Sequence, residues 1–376
     1  MKFVVSSTAL QTQLLSLSRV IASKNSLPIL DCFLFTLEGN KLNIVASDTE
    51  TRMETSIEVS ESDGGGSFAV PAKILLDPLR ELPDQPLTFS INEENLEIFI
   101  YFHNGKYNFI GQRADIYPEQ RLLGDGVVEF DIDIDLFLSG INRTLFATAD
   151  DELRPVMNGV YLDMNMEGIT FVASDGHKLV RFKTAETKIK EERAAFILPK
   201  KPANVLKNIL VKGSGKANVR FDAGNASITF GNYTMFCRLI EGRYPNYNSV
   251  IPRENPFTLA IDRLLLLNAI KRVSVFSNHS NSLVKMQIEA NSLTVSTQDI
   301  DYSTSAEERI DCQYNGNNMI IGFKAPYLIE ILSNLSSAEI NIALADVSRA
   351  VLILPAENEE EKEDILMLLM PMVVND

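Results

Sequence analysis

Cysteine and histidine are scarce in this chain of 376 residues, at three of each. Cys32, Cys237 and Cys312 lie far apart, form no CxxC pair and have no histidine at metal-ligand spacing. That suggests neither a disulfide framework nor a zinc site and leaves three reduced, buried thiols as the expectation. No apolar run approaches the ~20 residues a membrane span needs, and the opening MKFVVSSTALQ lacks the apolar core of a signal peptide. A soluble, cytoplasmic protein without membrane contact is expected. Positive charge is also in deficit: 35 Lys and Arg face 50 Asp and Glu, for a net of −15, which as a total argues against a nucleic-acid partner. What is present is length for two to four domains and a 45% hydrophobic fraction, enough for sizeable cores. Gly64-Gly65-Gly66 and the acidic run ENEEEKED, Glu357 to Asp364, read as solvated loops.

The chain repeats itself three times. FVVSSTALQTQLLSLSRVIASKN from Phe3 is matched by FDIDIDLFLSGINRTLFATAD from Phe130 and FTLAIDRLLLLNAIKRVSVFSN from Phe257, at equal offsets of 127. LNIVASDTETRM, ITFVASDGHKLVR and LTVSTQDIDYST align Asp48, Asp175 and Asp299. A third series runs VPAKILLDPLREL, LPKKPANVLKNIL and GFKAPYLIEILSNL. A period this long means domain-sized units rather than a solenoid. With turn-rich boundaries at Gly124–Gly126 and Ile251–Pro256, the expected domains are 1–126, 127–253 and 254–376. In each, the first series predicts a helix, as in the buried face Leu10, Leu14, Leu17 and Ile21. The third predicts a short helix opened by Pro71, Pro202 or Pro326. Alternating runs such as KLNIVAS, LEIFI, ASITF and KMQIEA predict antiparallel strands. The fold class is α+β, two helices on antiparallel sheets, three times over.

Charge follows this division. The spans Ser6–Lys24, Ala72–Leu82, Asp135–Ala149, Lys200–Lys212, Asp262–Phe276 and Lys324–Leu335 together carry +8, leaving −23 for the rest. If the six helices face one surface, that surface is positive on an acidic body and would hold phosphates without reading bases.

Two stretches invite an enzymatic reading. FVASDGHKLV places Asp175 beside His177, but a catalytic centre needs a positioned partner and an activated nucleophile or metal, and the other repeats have Glu50 and Asp301 where His177 stands. KGSGKA at Lys212 to Ala217 has Leu210 where a P-loop needs glycine and Ala217 where it needs Ser or Thr, so it reads as a turn after a helix. No cofactor is expected. A non-DNA scaffold of repeated domains is the alternative that these observations leave.

MKF at the start, LPIL at Leu27–Leu30, SDGHKL at Ser174–Leu179, EGRYPNY at Glu241–Tyr247 and MPM at Met370–Met372 give the chain, over its whole length, a resemblance to the bacterial DNA polymerase III β subunit family, the sliding clamps. The resemblance implies three DNA-clamp domains per subunit and a head-to-tail homodimer closed into a ring around duplex DNA, with helices lining the hole. It implies a non-catalytic processivity factor, opened by an ATP-driven clamp loader, that tethers the replicative polymerase catalytic subunit, other polymerases and repair proteins. It implies a partner-peptide groove of Met157, Ser174, Gly176, His177, Lys178, Leu179, Pro245, Val250, Ala350, Leu368, Leu369, Met370, Pro371 and Met372, although LMLLMPM also reads in part as a core strand. DNA contacts carried over are Lys24, Lys73, Lys200, Lys201, Lys324 and Tyr327. The subunit interface carried over is Tyr107 and Phe109 against Val275 and Phe276, four residues that core packing would explain equally well. The chain departs from the family at Ser249, where arginine is common, in the Val373-Val374-Asn375-Asp376 ending, and at Asp150-Asp151, which would repel phosphate.

Overall fold

The computed structural model describes residues 1–187, 189, 191–211, 213–357 and 363–374. Lys212, the Asn375-Asp376 end and the middle of the acidic run lie outside the described residues. Packing divides the chain into two compact units, residues 1–135 with 204–239, and residues 136–203 with 240–376. None of the described helices is long and apolar enough to cross a membrane.

The first unit opens with strand Lys2–Ser6 and helix α1 (Ser7–Leu17). Ser6 caps α1, its hydroxyl accepting from the Ala9 N–H at 3.2 Å. Leu10, Leu14 and Leu17 are wholly buried, as the spacing predicts. The helix then stops short of the expected span, so Val20 takes the buried place in the following turn and Ile21 is only half-buried. Helix α2 (Ala72–Glu81) starts from Pro71, whose fixed φ suits a helix entry, and Gln11 of α1 reaches it by donating to the Leu79 carbonyl at 3.1 Å. Behind the helices lies a five-stranded sheet, in which Phe3 stacks on Phe89 at 4.7 Å and Gly105–Ile110 is an edge strand. A nine-stranded antiparallel sheet completes the unit, and in it Thr51–Glu58 pairs with Tyr233–Arg238. The sheet thus runs from the first sequence repeat into the second.

Helices α3 (Ile134–Thr144) and α4 (Lys200–Leu210) cross the positions where the units divide. In the segment after α4, of which Lys212 lies outside the described residues, the Gly213 N–H bonds the Leu210 carbonyl at 2.8 Å and Gly215 turns at φ +88° into the strand Lys216–Phe221.

The second unit repeats the plan. Its nine-stranded sheet is continued by pairing Lys178–Thr184 with Glu363–Leu369, which carries it from the second repeat into the third. Its four-stranded sheet has Thr304–Asp311 on one edge. Helix α5 (Arg263–Val273) is capped by Asp262, which accepts from Leu265 N–H at 2.8 Å. Arg263 donates to the carbonyl of Leu332 (3.0 Å), in the last turn of helix α6 (Ala325–Ser333), and to that of Ser337 beyond it (2.7 Å), while the Asn334 N–H serves Glu330 and Ile331. All six helices are shorter than the spans used to count charge. Within them α4 and α5 each carry a net of three positive charges, α6 one negative, and α1–α3 balance. Arg19, Lys24 and Lys324 flank helices rather than belonging to them.

Candidate partner groove and nucleic-acid contacts

In the second unit, strands Gly168–Ser174 and Lys178–Thr184 are joined by a turn that Asp175 builds. One carboxylate oxygen of Asp175 accepts from the N–H groups of His177 and Lys178, both at 2.9 Å. Gly176 sits at φ +92°, where a Cβ would also meet the Arg154 guanidinium. The same geometry recurs at Asp48, which accepts from Glu50 (3.1 Å) and Thr51 (2.7 Å), and at Asp299, which accepts from Asp301 (2.9 Å) and Tyr302 (3.3 Å). The repeating aspartate is therefore a turn former.

Lys178, 4% exposed, places its ammonium 2.6 Å from the second Asp175 oxygen and 3.0 Å from Glu330 of α6. Burial alone would raise the Asp175 pKa, but the Lys178 ammonium and the turn N–H groups outweigh it and hold the carboxyl below its usual range. Burial likewise works against Lys178, and Asp175 followed by Glu330 reverses it, raising the lysine. The Lys178 ammonium lies 4.5 Å from the Tyr327 ring centroid, and the His177 ring stacks on the same ring at 5.6 Å. Tyr327, expected among the DNA contacts, thus stands against two residues expected in the groove.

Beside this turn is a cavity of about 170 Å³. Met157, Ser174, Gly176, His177, Lys178, Leu179, Pro245, Val250, Leu368 and Met370 line it. Strand alternation explains the omissions nearby: Leu368 and Met370 face the cavity, while Leu369 between them is wholly buried on the other face. Ala350 packs in the apolar cluster with Leu179 and Leu368. Pro371 and Met372 lie past the strand, where the Met372 N–H bonds the Gly322 carbonyl at 2.8 Å. Three further lining residues, Tyr244, Asn246 and Tyr247, escaped the sequence reading although they stand in the quoted EGRYPNY. Tyr244 stacks on Tyr161 at 4.6 Å with ring planes 1° apart. The Tyr247 hydroxyl donates to Asp163 at 3.0 Å, and burial, then that carboxylate, push its pKa up to about 12. Ser249 bonds the Asn246 carbonyl at 2.6 Å and stands outside the lining.

The basic residues divide by environment. Lys24 and Lys73 are exposed in the first unit. Lys200 and Lys201 are half-buried at the start of α4, with the Lys200 ammonium 2.5 Å from Asp150. Lys324 lies 5.1 Å from the Tyr327 ring. Asp151 closes its own loop by accepting from Arg154 and Leu153, both at 2.8 Å. The acidic pair that departs from the family is thus engaged by Lys200 and Arg154.

Tyr107 and Phe109 are half-buried on edge strand Gly105–Ile110, which also exposes Ile110. Val275 and Phe276 are exposed in a 3₁₀ turn after α5, tied to the 299–304 loop by Asn278 donating to Asp301 at 3.3 Å. Ile300 and Tyr302 of that loop are 81% and 75% exposed. The aligned Asp299 series could have found them, since Ile300 stands in the place of Gly176. Among the described residues no group of three His, Cys, Asp or Glu could hold a metal.

Three family models match the chain in order: the DNA polymerase III beta subunit N-terminal domain over residues 1–121, its central domain over 131–246 and its C-terminal domain over 248–372. The beta sliding clamp of Pseudomonas aeruginosa is 26% identical over 360 residues, covering 96% of this chain and 97% of the relative. That of Synechococcus elongatus is 28% identical over 365 residues, covering 94% and 96%. Among solved structures, the sliding clamps of P. aeruginosa and Bartonella birtlesii, both described as bound to griselimycin, superpose over all of each chain with TM-scores of 0.93 and 0.92 at 26% and 27% identity.

Proposed function

The chain belongs to the DNA polymerase III beta subunit family, the sliding clamps that act as processivity factors in DNA replication, and on that premise we propose how it works. Two copies associate head to tail and close a ring around duplex DNA. Each contributes three domains, at 1–126, 127–253 and 254–376. The chain is a non-catalytic accessory subunit: it slides on loose, sequence-independent phosphate contacts from Lys24, Lys73, Lys200, Lys201 and Lys324, while a separate clamp loader opens the ring. The single observation that carries this reading is the threefold repeat of a helix pair on antiparallel sheets, matched end to end by the three domain models in order.

Edge chemistry supports the ring. Gly105–Ile110 and Thr304–Asp311 are both edge strands, and exposed Ile110, Val275, Ile300 and Tyr302 lie on or near them. Open edges with apolar neighbours invite pairing with another chain. A head-to-tail contact between such unlike surfaces gives a closed ring when its rotation closes. Lys24 and Lys73 keep positive charge without a bidentate fork, which suits contacts that must break as the ring moves.

The groove receives the replicative polymerase catalytic subunit, other polymerases and repair proteins in turn. Leu179, Leu368 and Met370 offer an apolar floor for side-chain anchors of an extended peptide, and flexible methionines tolerate different anchors. The Asp175 turn fixes one wall by hydrogen bonds that need no partner, so the pocket is preformed. Once tethered, the polymerase is held at high effective concentration near the primer end. Griselimycin, with which two relatives were solved, is expected to bind the same apolar cavity.

The test is retention on nicked circular DNA after loading by a cognate loader. Release on linearisation is the expected result. Equal retention on circle and linear form would mean ordinary surface binding and would leave the non-DNA scaffold or a simple binder as the better reading.

A further inference from the structure

The groove has a counterpart in the first unit. At the repeat offset of 127, Leu30 matches Met157, Tyr117 matches Tyr244 and Pro118 matches Pro245. The structures match as well. Arg238 N–H bonds the Glu50 carbonyl at 2.8 Å just as Met370 N–H bonds the His177 carbonyl at 2.9 Å. Arg52 pairs across strands with Phe236 as Leu179 pairs with Leu368. The turn keeps its backbone even where no glycine eases it, since Thr49 adopts φ +84° in the place of Gly176. A β-branched residue there is strained, so the turn form is imposed by the surrounding sheet.

The side chains differ at one decisive place. Arg52 occupies the position of Leu179, and its guanidinium lies 6.0 Å from the Tyr117 ring centroid while donating to the Pro118 carbonyl at 3.1 Å. It therefore lies across the two residues whose counterparts, Tyr244 and Pro245, line the groove in the second unit. Beneath it Tyr117 is 5% exposed and packs with Leu30 in an apolar cluster. The Arg52 Nε is buried and has no hydrogen-bond partner, so this arginine sits where an apolar side chain would leave no orphaned donor.

We propose that Arg52 is a specificity residue: it closes the first-unit counterpart of the groove and so confines apolar partner segments to one groove per chain. This rests on the reading of the second-unit groove as the partner site. An open counterpart would offer each partner a second docking place one repeat away, and Arg52 removes it.

The experiment is calorimetric titration with griselimycin of the wild type, of Arg52→Leu, and of Arg52→Leu with Arg238→Met, thermal unfolding serving as the fold control. Wild type is expected to bind one equivalent per chain, and the double variant two, with the first site unchanged. A folded double variant that still binds one equivalent overturns the proposal. The reciprocal variant Leu179→Arg imports the closure into the second unit. It is expected to lose binding while folded, and adding the two first-unit changes to it should restore one equivalent. Retained binding by folded Leu179→Arg would also overturn the proposal, whether or not the double variant folds. If wild type itself binds nothing, the groove reading fails first and this inference falls with it, which separates the two failures.

Discussion

Replacing Lys178 by methionine removes the charge and shortens the unbranched side chain by one atom. Three groups lose a partner: Asp175, Glu330 and the Tyr327 ring. Breaking a buried ion pair from one side typically costs about 3–5 kcal/mol because the remaining charge is stranded. Here Asp175 keeps its two turn N–H donors, and Glu330 has a side chain 46% exposed, so water screens its share. The expected loss is therefore about 2–3 kcal/mol, or roughly 4–12 °C in the unfolding of a unit of this size. The assay is denaturant unfolding of Lys178→Met, Asp175→Asn and the double variant. The double should lie closer to wild type than the two single losses summed, because each single variant strands a group that the double does not. The difference between wild type and Lys178→Met should be flat near neutrality. On the acid side it fades as pH falls through the lowered Asp175 pKa, since that carboxylate contributes fully only above its unfolded value. On the alkaline side the contribution of raised Lys178 is full below the ordinary lysine pKa and is lost above its folded value. A Lys178→Met protein within about 0.5 kcal/mol of wild type at pH 7, the range of an ordinary surface change, would refute this account of the turn.

Met370→Asp puts a carboxylate into the cavity at a site 41% exposed, so polymerase binding should fall tenfold or more with the unfolding temperature unchanged, measured by surface plasmon resonance and calorimetry. Val275→Asp, at a site 74% exposed, should convert the proposed dimer to folded monomer in sedimentation velocity. Lys73→Ala should reduce the dependence of DNA affinity on log salt by about one unit, as expected for a lost phosphate contact. Lys200→Ala should reduce it by less, because Asp150 already lies against that ammonium, and equal slopes for the two variants would refute the distinction.

The architecture was legible because its signals are periodic. Leu10, Leu14 and Leu17 at helical spacing, the prolines that open the second helices, and three aligned aspartates each report local geometry that sequence order preserves. Helix ends were less legible. Ser18 takes up the last turn of α1 and the chain folds back, so Val20 rather than Ile21 fills the core, a choice made by packing and not by spacing. In the groove, the motif residues near the turn come together, but the aromatic wall of Tyr244 and Tyr247 was missed because an isolated tyrosine reads equally as core. Nor could spacing show that Tyr327 stands beside His177, since that contact joins α6 to a strand turn some 150 residues earlier in the chain.

The repeated aspartate gives the catalytic-looking triplet a structural role. In the second repeat its carboxylate holds a turn, twice through N–H groups and once through Lys178, and the residues two places after it in the other repeats are Glu50 and Asp301. Selection on one fold used three times can therefore keep the aspartate everywhere and vary the residues after it. In the second repeat the variation exposes His177 and leaves Leu179 apolar, giving a cavity. In the first it puts Arg52 over Tyr117. In the third it leaves Ile300 and Tyr302 exposed, where the proposed contact with a second copy would use them. One aspartate, accepting from the N–H groups two and three residues on in every repeat, thus sets the frame for the proposed groove, closure and interface, and the few side chains around it make the difference.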